Sequence, residues 1–140
     1  MYYRLTIPYI LPGLNEYIGI ERQNKYAAAQ VKKNIESGII FLIKQQLPQL
    51  SIKEPIVIDY TWIEPNKRRD KDNIAFAKKF IQDALVKAGV LNNDGWDFVA
   101  DFSDKFRIDA ENPGVMVIIH PLCNETKAKF SSALTKTSFF

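Results

Sequence analysis

Hydrophobic and polar positions recur along the chain with two periods, which predict strands and helices in alternation. Four segments rich in β-branched and aromatic residues predict strands over residues 2–7, 56–63, about 98–107 and 115–119. Two longer segments carry apolar residues three or four positions apart and predict helices over about 25–46 and 73–88. The order β-α-β-α-β-β indicates an α/β (α+β) fold, with a small mixed sheet of about four strands and two main helices.

The second predicted helix is the most clearly patterned element. Its apolar residues fall on one face and are Ile74, Ala77, Ile81, Ala84, Leu85 and Ala88. Gly89 follows at the position where a glycine commonly ends a helix. Residues 11–15, with the sequence Leu-Pro-Gly-Leu-Asn, have instead the composition of a turn. We therefore expect a turn between the first strand and the first helix.

Length and composition indicate one folded domain. The chain has 140 residues, of which 46% are hydrophobic and 25% charged, and a chain of this size can bury a core without a disulfide or metal. We expect residues 1–120 to form the domain. Residues 121–140 are rich in Lys, Ser and Thr without a clear period, which predicts a flexible C-terminal tail. Trp62 and Trp96 are expected in the core or in a dimer contact.

Composition also excludes several kinds of site. The chain has one cysteine and one histidine, which excludes an intramolecular disulfide, a cysteine-based zinc site and multi-histidine metal sites. No apolar run approaches the ~18 residues that a membrane span needs, so we expect no membrane association. The first residues lack the pattern of a signal peptide, which predicts a cytoplasmic protein.

Charge is distributed unevenly, although the net charge is only +3. Residues 22–87 contain 13 basic and 7 acidic side chains, whereas residues 94–111 contain 6 acidic and 2 basic ones. A basic face beside an acidic one suits a polyanionic ligand. Two ordinary solvated faces would have the same composition, so charge alone does not distinguish the two interpretations.

The candidate chemistry lies in residues 66–73, between the second strand and the second helix. In an extended approach to the helix, Asp70 and Asp72 point to the same side, about 6.5 Å apart. Asp72 also lies at or next to the helix N-cap, where exposed N–H groups favour negative charge. Paired carboxylates are suitable ligands for a hard metal ion. Helix capping by Asp72 and a polar turn at Asp70 would explain the same residues.

Two further candidates follow along the second helix. Lys79 comes seven residues after Asp72, or about two helical turns, so its ammonium is expected to approach the carboxylates. The alternative for Lys79 is a surface pair with Asp83. Asp94 lies in the turn after the helix and reaches Asp72 only if the chain returns along that helix.

Basic residues surround the two carboxylates, as binding of a phosphate together with a hard metal requires. A solvated run of charge would contain the same lysines and arginines, and turn geometry explains Asn15 equally well. The candidates for contact with such a phosphate are Asn15, Lys67, Arg68, Arg69, Lys71, Asn73 and Lys78.

Several motifs occur in a fixed order: Asp70-x-Asp72-Asn73, then Lys-Phe-x-x-Asp-Ala-Leu at 79–85, Ala-Gly-Val at 88–90 and Asn93-Asp94. In this order they resemble the RusA-type Holliday junction resolvases, which are crossover junction endodeoxyribonucleases of phages and bacteria. The opening strand, the Pro-rich turn and Asn15 are similar to the N-terminal pattern of this family. The resemblance covers residues 2–120, and its specific motifs lie within 67–94.

The resemblance implies a RusA-like homodimer that binds branched DNA and resolves four-way (Holliday) junctions by paired nicks, in DNA recombination and repair. The implied cofactor is Mg²⁺, with Mn²⁺ as a substitute. Asp70, Asp72 and Asp94 would hold the metal and would act in catalysis together with Lys79. Mg²⁺ takes oxygen ligands and waters, so aspartates suffice without histidine. A two-fold dimer would present two identical sites to a two-fold symmetric junction.

The chain departs from the family pattern at two places. The commonest family spacing puts the essential lysine where Phe76 stands, which makes Lys78 a rival to Lys79. Many relatives carry two acids after the helix, where this chain has Asn93-Asp94. Two other functions stay open: a metal-dependent nuclease that acts less selectively on flaps or forks, and a junction-binding relative without catalysis. Dependence on divalent metal and preference for a four-way junction over duplex DNA would distinguish them.

Overall fold

A computed structural model describes residues 1–122 of the chain, and this part contains four strands and four helices. In chain order they are β1 (Tyr3–Ile7), α1 (Leu14–Gln23), α2 (Lys25–Gln46), β2 (Ile56–Glu64), α3 (Lys71–Ala75), α4 (Lys78–Lys87), β3 (Val99–Ile108) and β4 (Gly114–Pro121). The predicted α+β fold with a mixed four-stranded sheet is confirmed. Most of the predicted tail, residues 123–140, lies outside the described residues.

The strands form one sheet in the order β1-β4-β2-β3, in which β2 and β3 are parallel and the other neighbours antiparallel. Alternate residues of β2, among them Ile58, Tyr60 and Trp62, are buried in the core cluster together with apolar residues of α2 and α4. Since paired residues share a face of the sheet, the partners of Tyr60 and Trp62 on β3, Asp104 and Phe106, also lie on the helix-facing side.

The first long helix has the predicted bounds, because its signals are local. α2 spans Lys25–Gln46, and the side chain of Asn24 caps it by accepting hydrogen bonds from the backbone N–H groups of Tyr26 (2.9 Å) and Ala27 (3.2 Å). An N-cap asparagine satisfies donors that have no partner within the helix. Pro48 follows the last turn and cannot continue the hydrogen-bond ladder.

The second predicted helix is divided into α3 and α4. Around Phe76 and Ala77 the backbone stays right-handed, but several N–H groups bond the carbonyl three residues earlier, including Ala77 to Ile74 (3.2 Å) and Lys79 to Phe76 (3.1 Å). This tighter winding has about 3.0 residues per turn. It rotates α4 relative to a continuous α-helix. The single helix predicted over 73–88 is therefore wrong, although most of its apolar stripe is buried as expected.

The two tryptophans differ in environment. Trp62 is 1% exposed and lies in the core, as predicted, whereas Trp96 is 77% exposed and does not. The alternative of a dimer contact for Trp96 stays a prediction. Among residues 1–122, no helix is long and apolar enough to cross a membrane.

Candidate active site

A cleft of about 590 Å³ opens where β2 ends and α3 begins. We call it the carboxylate cleft, and it is lined by Glu64, Asn66, Lys67, Arg69, Asp70, Lys71, Asp72, Ile74, Phe106, Arg107 and Ile108. Two of the three predicted aspartates, Asp70 and Asp72, and three of the predicted cations line this cleft. The end of β2, the turn that follows it, the first turn of α3 and the end of β3 therefore supply its charged groups.

Asp70 and Asp72 reach the cleft from different backbone conformations. Asp70 is the N-cap residue of α3, with extended φ and ψ of −71° and 152°, and its side chain makes no capping hydrogen bond. Asp72 already lies in the first helical turn, and its Oδ1 accepts from the backbone N–H of Asn73 at 3.0 Å. The predicted extended approach of both residues is therefore wrong for Asp72. Both side chains are nevertheless exposed at the same cleft.

Asn73 is a structural anchor of the turn that carries the two aspartates. It is 9% exposed, and its Oδ1 accepts from the backbone N–H of Asn15 at 2.8 Å, in the first turn of α1. Gly13, the N-cap residue of α1, has no side chain to cap that helix, and a Cβ at Gly13 would lie 2.7 Å from Asn73 Oδ1. The Asn73 amide thus caps α1 in place of a local residue. The predicted contact of Asn73 with DNA is not favoured by this burial.

Replacement of Asn73 should loosen α1 from the carboxylate turn. For Asn73→Ala we expect a loss of about 1–2 kcal/mol in the free energy of unfolding, because a helix cap is removed and a partly buried N–H loses its acceptor. Asn73→Asp, which keeps an oxygen at this position, should recover part of the loss. Asn34→Ala, on the exposed surface of α2, is the matched control. Urea denaturation measures all three, and equal stability of Asn73→Ala and Asn34→Ala would contradict the anchoring role.

The guanidinium of Arg69 is also occupied by contacts within the protein. It forms a two-pronged pair with the buried carboxylate of Glu64 at 2.8 and 2.9 Å, and also donates to the Leu11 carbonyl and to Glu16, both at 3.1 Å. Hydrogen bonding to Glu64 is the main cause that raises the pKa of Arg69. Four N–H groups of the fork are occupied in this way. Arg69 therefore joins the end of β2 to the chain before α1, and the structure does not favour its predicted role in DNA contact.

The other predicted cations remain accessible. Lys67, Arg68 and Lys71 are exposed, and within residues 1–122 none of them forms a salt bridge. Lys71 Nζ lies 5.6 Å from the centre of the Phe106 ring, at the rim of the carboxylate cleft, whereas Arg68 does not line it. Asn15 is also exposed, and the hydrogen bond from its backbone N–H to Asn73 keeps it beside the same region.

Asp94 and Lys79 lie together, and neither of them lines the carboxylate cleft. Lys79 Nζ is 3.2 Å from Asp83 and 3.9 Å from Asp94. Asp94 lines a separate cleft, the loop cleft, with Gln82, Gly95, Trp96, Val99, Ala100, Asp101 and Phe102. The chain does return along α4, which brings Asp94 to Lys79 and the end of β3 to the carboxylate cleft. Within residues 1–122, no three Asp, Glu, His or Cys side chains converge to hold a metal ion.

Within residues 1–122, Lys79 forms salt bridges with Asp83 and Asp94 and none with Asp70 or Asp72. The backbone winds more tightly at Phe76 and Ala77, and Lys79 beyond this turn pairs with Asp83 and Asp94. Its surface pair with Asp83, the alternative interpretation, is present. Lys78 turns instead toward the sheet, and its Nζ lies 2.5 Å from Asp104 Oδ2 on β3.

Three residues of β3 near the sites were not among the sequence candidates. Phe106 and Arg107 line the carboxylate cleft, and Asp104 binds Lys78. A signal for Asp104 was present, since period-two alternation places it on the same face as Phe102 and Phe106. An acid between two aromatic residues on the helix-facing side of a strand is partly buried and gains from a partner.

The structure is thus a small α+β domain whose strand-to-helix cleft contains paired carboxylates and cations. The sequence motifs indicated this same combination for the RusA-type class of protein. The chain is 32% identical over 112 residues to the crossover junction endodeoxyribonuclease RusA of Aquifex aeolicus (strain VF5), across 79% of this chain and 84% of that protein. No protein-family model matches the chain. The identity over this length shows that the chain belongs to the RusA family of crossover junction endodeoxyribonucleases, which confirms the resemblance inferred from the motifs.

Proposed function

We propose that this protein is an endodeoxyribonuclease that resolves four-way DNA junctions by paired nicks, with Mg²⁺ as cofactor. The observation that carries the proposal is the carboxylate cleft, which Asp70 and Asp72 share with Lys67, Lys71 and Arg107. Cleavage of a phosphodiester requires stabilisation of negative charge on the phosphate, which cations and a hard metal held by oxygen ligands can supply. The name of the Aquifex relative, a crossover junction endodeoxyribonuclease, supports the choice of a DNA junction as substrate.

The donor set of the carboxylate cleft fits Mg²⁺. Asp70 makes no capping hydrogen bond and Asp72 uses Oδ1 for a single backbone N–H, so carboxylate oxygens remain for a ligand. Mg²⁺ is commonly held by one or two carboxylates, with waters and substrate phosphate completing its octahedron. When bound, the ion would neutralise charge that develops on the phosphate and activate the attacking water. We propose Asp70 and Asp72 as its ligands, with Mn²⁺ as a substitute for Mg²⁺. Asp94, which lines the loop cleft, is not among the proposed ligands.

The cations of the carboxylate cleft would position the DNA backbone. Lys67, Lys71 and Arg107 lie beside the carboxylates and are exposed, so each can meet a phosphate oxygen without first breaking a salt bridge within residues 1–122. Arg68 extends this basic surface outside the cleft. Such contacts fix the register of the backbone but do not read base sequence. Binding should therefore weaken steeply as the salt concentration rises.

The proposal is tested with an end-labelled four-way junction and a linear duplex of the same sequence, incubated with Mg²⁺ or with a chelator. Symmetric nicks on the junction alone, and only with metal, support the proposal. Equal cutting of the duplex, or a preference for flaps and forks, would instead indicate a less selective nuclease. Tight binding of the junction without cutting in Mg²⁺ or Mn²⁺ would indicate a junction-binding relative without catalysis.

We propose further that the active form is a homodimer, because paired nicks in a two-fold symmetric junction require two equivalent sites. The expected mass in solution is twice the 16.1 kDa of one chain. Light scattering coupled to size-exclusion chromatography measures this mass, both for the free protein and for its junction complex. A single chain on each junction would contradict the dimer.

A further inference from the structure

The helix-facing side of β3 carries an aspartate between two aromatic residues. Phe102, Asp104 and Phe106 share this side. Their neighbours on β2, on the same face of the sheet, are Ile58, Tyr60 and Trp62 respectively. Phe102 lines the loop cleft and Phe106 lines the carboxylate cleft. Alternate residues of a strand lie about 6.5 Å apart, so Asp104 lies between the two clefts.

Both carboxylate oxygens of Asp104 are already bonded. Trp62 Nε1 donates to Oδ1 at 2.8 Å, and Lys78 Nζ donates to Oδ2 at 2.5 Å. Trp62 is 1% exposed, so the carboxylate is held by a side chain that is fixed in the core. With one hydrogen bond on each oxygen, Asp104 is arranged to orient the ammonium of Lys78.

The ammonium of Lys78 is confined by this carboxylate and by aromatic rings. It lies 4.0 Å from the centre of the Phe102 ring and 5.7 Å from that of Tyr60, distances at which a ring face attracts a cation. The side chain is 19% exposed. An ammonium has three N–H donors, and Asp104 takes one of them. Lys78 can therefore keep Asp104 as a partner while it donates to a phosphate oxygen of DNA.

Lys79 lacks this confinement. Its side chain is 59% exposed and takes part in surface pairs with Asp83 and Asp94. Such pairs hold an ammonium weakly, because a long exposed side chain loses entropy on pairing and its charge is screened by solvent. Of the two adjacent lysines, Lys78 is thus the one with a defined position.

We propose that Asp104, supported by Trp62, is a positioning residue that holds Lys78 for contact with a phosphate of the DNA between the two clefts. This inference rests on the proposed function for its substrate. The DNA backbone would pass over β3, with its phosphates meeting Lys71 at the carboxylate cleft and Lys78 beside it. Lys78, and not Lys79, would then supply the positive charge near the reacting phosphate.

The first test measures single-turnover cleavage of the four-way junction together with its dissociation constant. For Asp104→Asn we expect cleavage to slow by about 10–100-fold, the range found when the hydrogen-bond partner of a metal-ligating residue is removed. The affinity for the junction should stay within a few-fold of the wild-type value, because the substitution changes only one charge. Asp104→Glu should recover part of the rate, and Lys78→Ala should slow cleavage more than Lys79→Ala.

A matched control is Asp59→Asn, on the opposite side of the sheet. Asp59 also bonds two side chains, Ser103 at 2.6 Å and His120 at 3.0 Å, so its replacement imposes a similar loss of contacts. We expect no change in its cleavage rate. If Asp104→Asn cuts as fast as the wild type, or if both variants slow cleavage equally, the positioning role is overturned. Absence of cutting by the wild-type protein would overturn the proposed function instead.

A second test does not require catalysis. The chain has two tryptophans, so the indole N–H signal of Trp62 can be assigned by NMR with a Trp96→Phe variant. Addition of a short-armed four-way junction in the presence of chelator should shift the Trp62 signal, because a phosphate at Lys78 alters the Lys78–Asp104 pair. The shift should be lost in Lys78→Ala. An unmoved Trp62 signal on a junction-bound wild-type protein would overturn the proposal, whether or not that protein cuts DNA.

Discussion

Asp72→Asn should slow junction cleavage by more than about 100-fold, as expected when a group that stabilises transition-state charge is removed. Asparagine has nearly the same size and keeps an oxygen that can accept from the N–H of Asn73, so the turn between β2 and α3 should persist. The substitution removes one negative charge and one proposed metal ligand. Binding of the junction should consequently be preserved or tightened.

The measurement is single-turnover cleavage of the labelled junction, with affinity determined separately in the presence of chelator. Glu54→Gln is the matched control, because Glu54 is an exposed acid just before β2, at the opposite end of that strand from Asp70 and Asp72. This control should cut at the wild-type rate. Retained cutting by Asp72→Asn would show that the carboxylate cleft is not the reactive site.

Gly114→Ala should cause the largest loss of stability among the single substitutions considered. A Cβ at Gly114 would lie 2.2 Å from the carbonyl oxygen of Ile7 and 3.2 Å from the backbone N of Tyr9. Both are backbone atoms, so neither can rotate away as a side chain could. The end of β1 would have to separate from the start of β4. We expect a loss of about 2–3 kcal/mol, at the upper end of the usual cost of overpacking.

Gly19→Ala is the matched control for this substitution. Gly19 lies within α1, and nothing comes within 4 Å of a Cβ built there. Alanine is favoured over glycine in a helix, so the control should gain about 0.5–1 kcal/mol. Thermal denaturation followed by circular dichroism measures both variants. Equal melting temperatures for the two variants would show that β1 and β4 are less closely packed at Gly114 than described.

Elements with local signals were predictable from the sequence. The bounds of α2 follow from its apolar period, from the cap formed by Asn24 and from Pro48 beyond its end. The turn that carries Asp70 and Asp72 was likewise located between a strand and a helix. α1 was missed because its cap comes from Asn73, 58 residues after Asn15. No local pattern contains that partner.

The roles of the charged residues were harder to predict. Arg69 appeared equivalent to Lys67 and Lys71 in the sequence, but Glu64 and Glu16 bind its guanidinium. Lys78 and Lys79 are adjacent in sequence, yet one contacts Asp104 and the other Asp83. The contacts of Arg69 depend on how α1 packs beside the end of β2, and those of Lys78 depend on the parallel pairing of β2 with β3.

Residue types, their order and their local periods were sufficient to establish the α+β class, the family resemblance and the carboxylate-bearing turn. Strand order, register and the tight turn before α4 established which charged side chains pair, namely Asp104 with Lys78 and Asp94 with Lys79. They also placed Asp70 and Asp72 in a cleft that β3 helps to line. The physical reason is the range of the interactions. Caps and periodicity act within a few residues, whereas the partner of a charged side chain is set by whichever distant segment packs beside it.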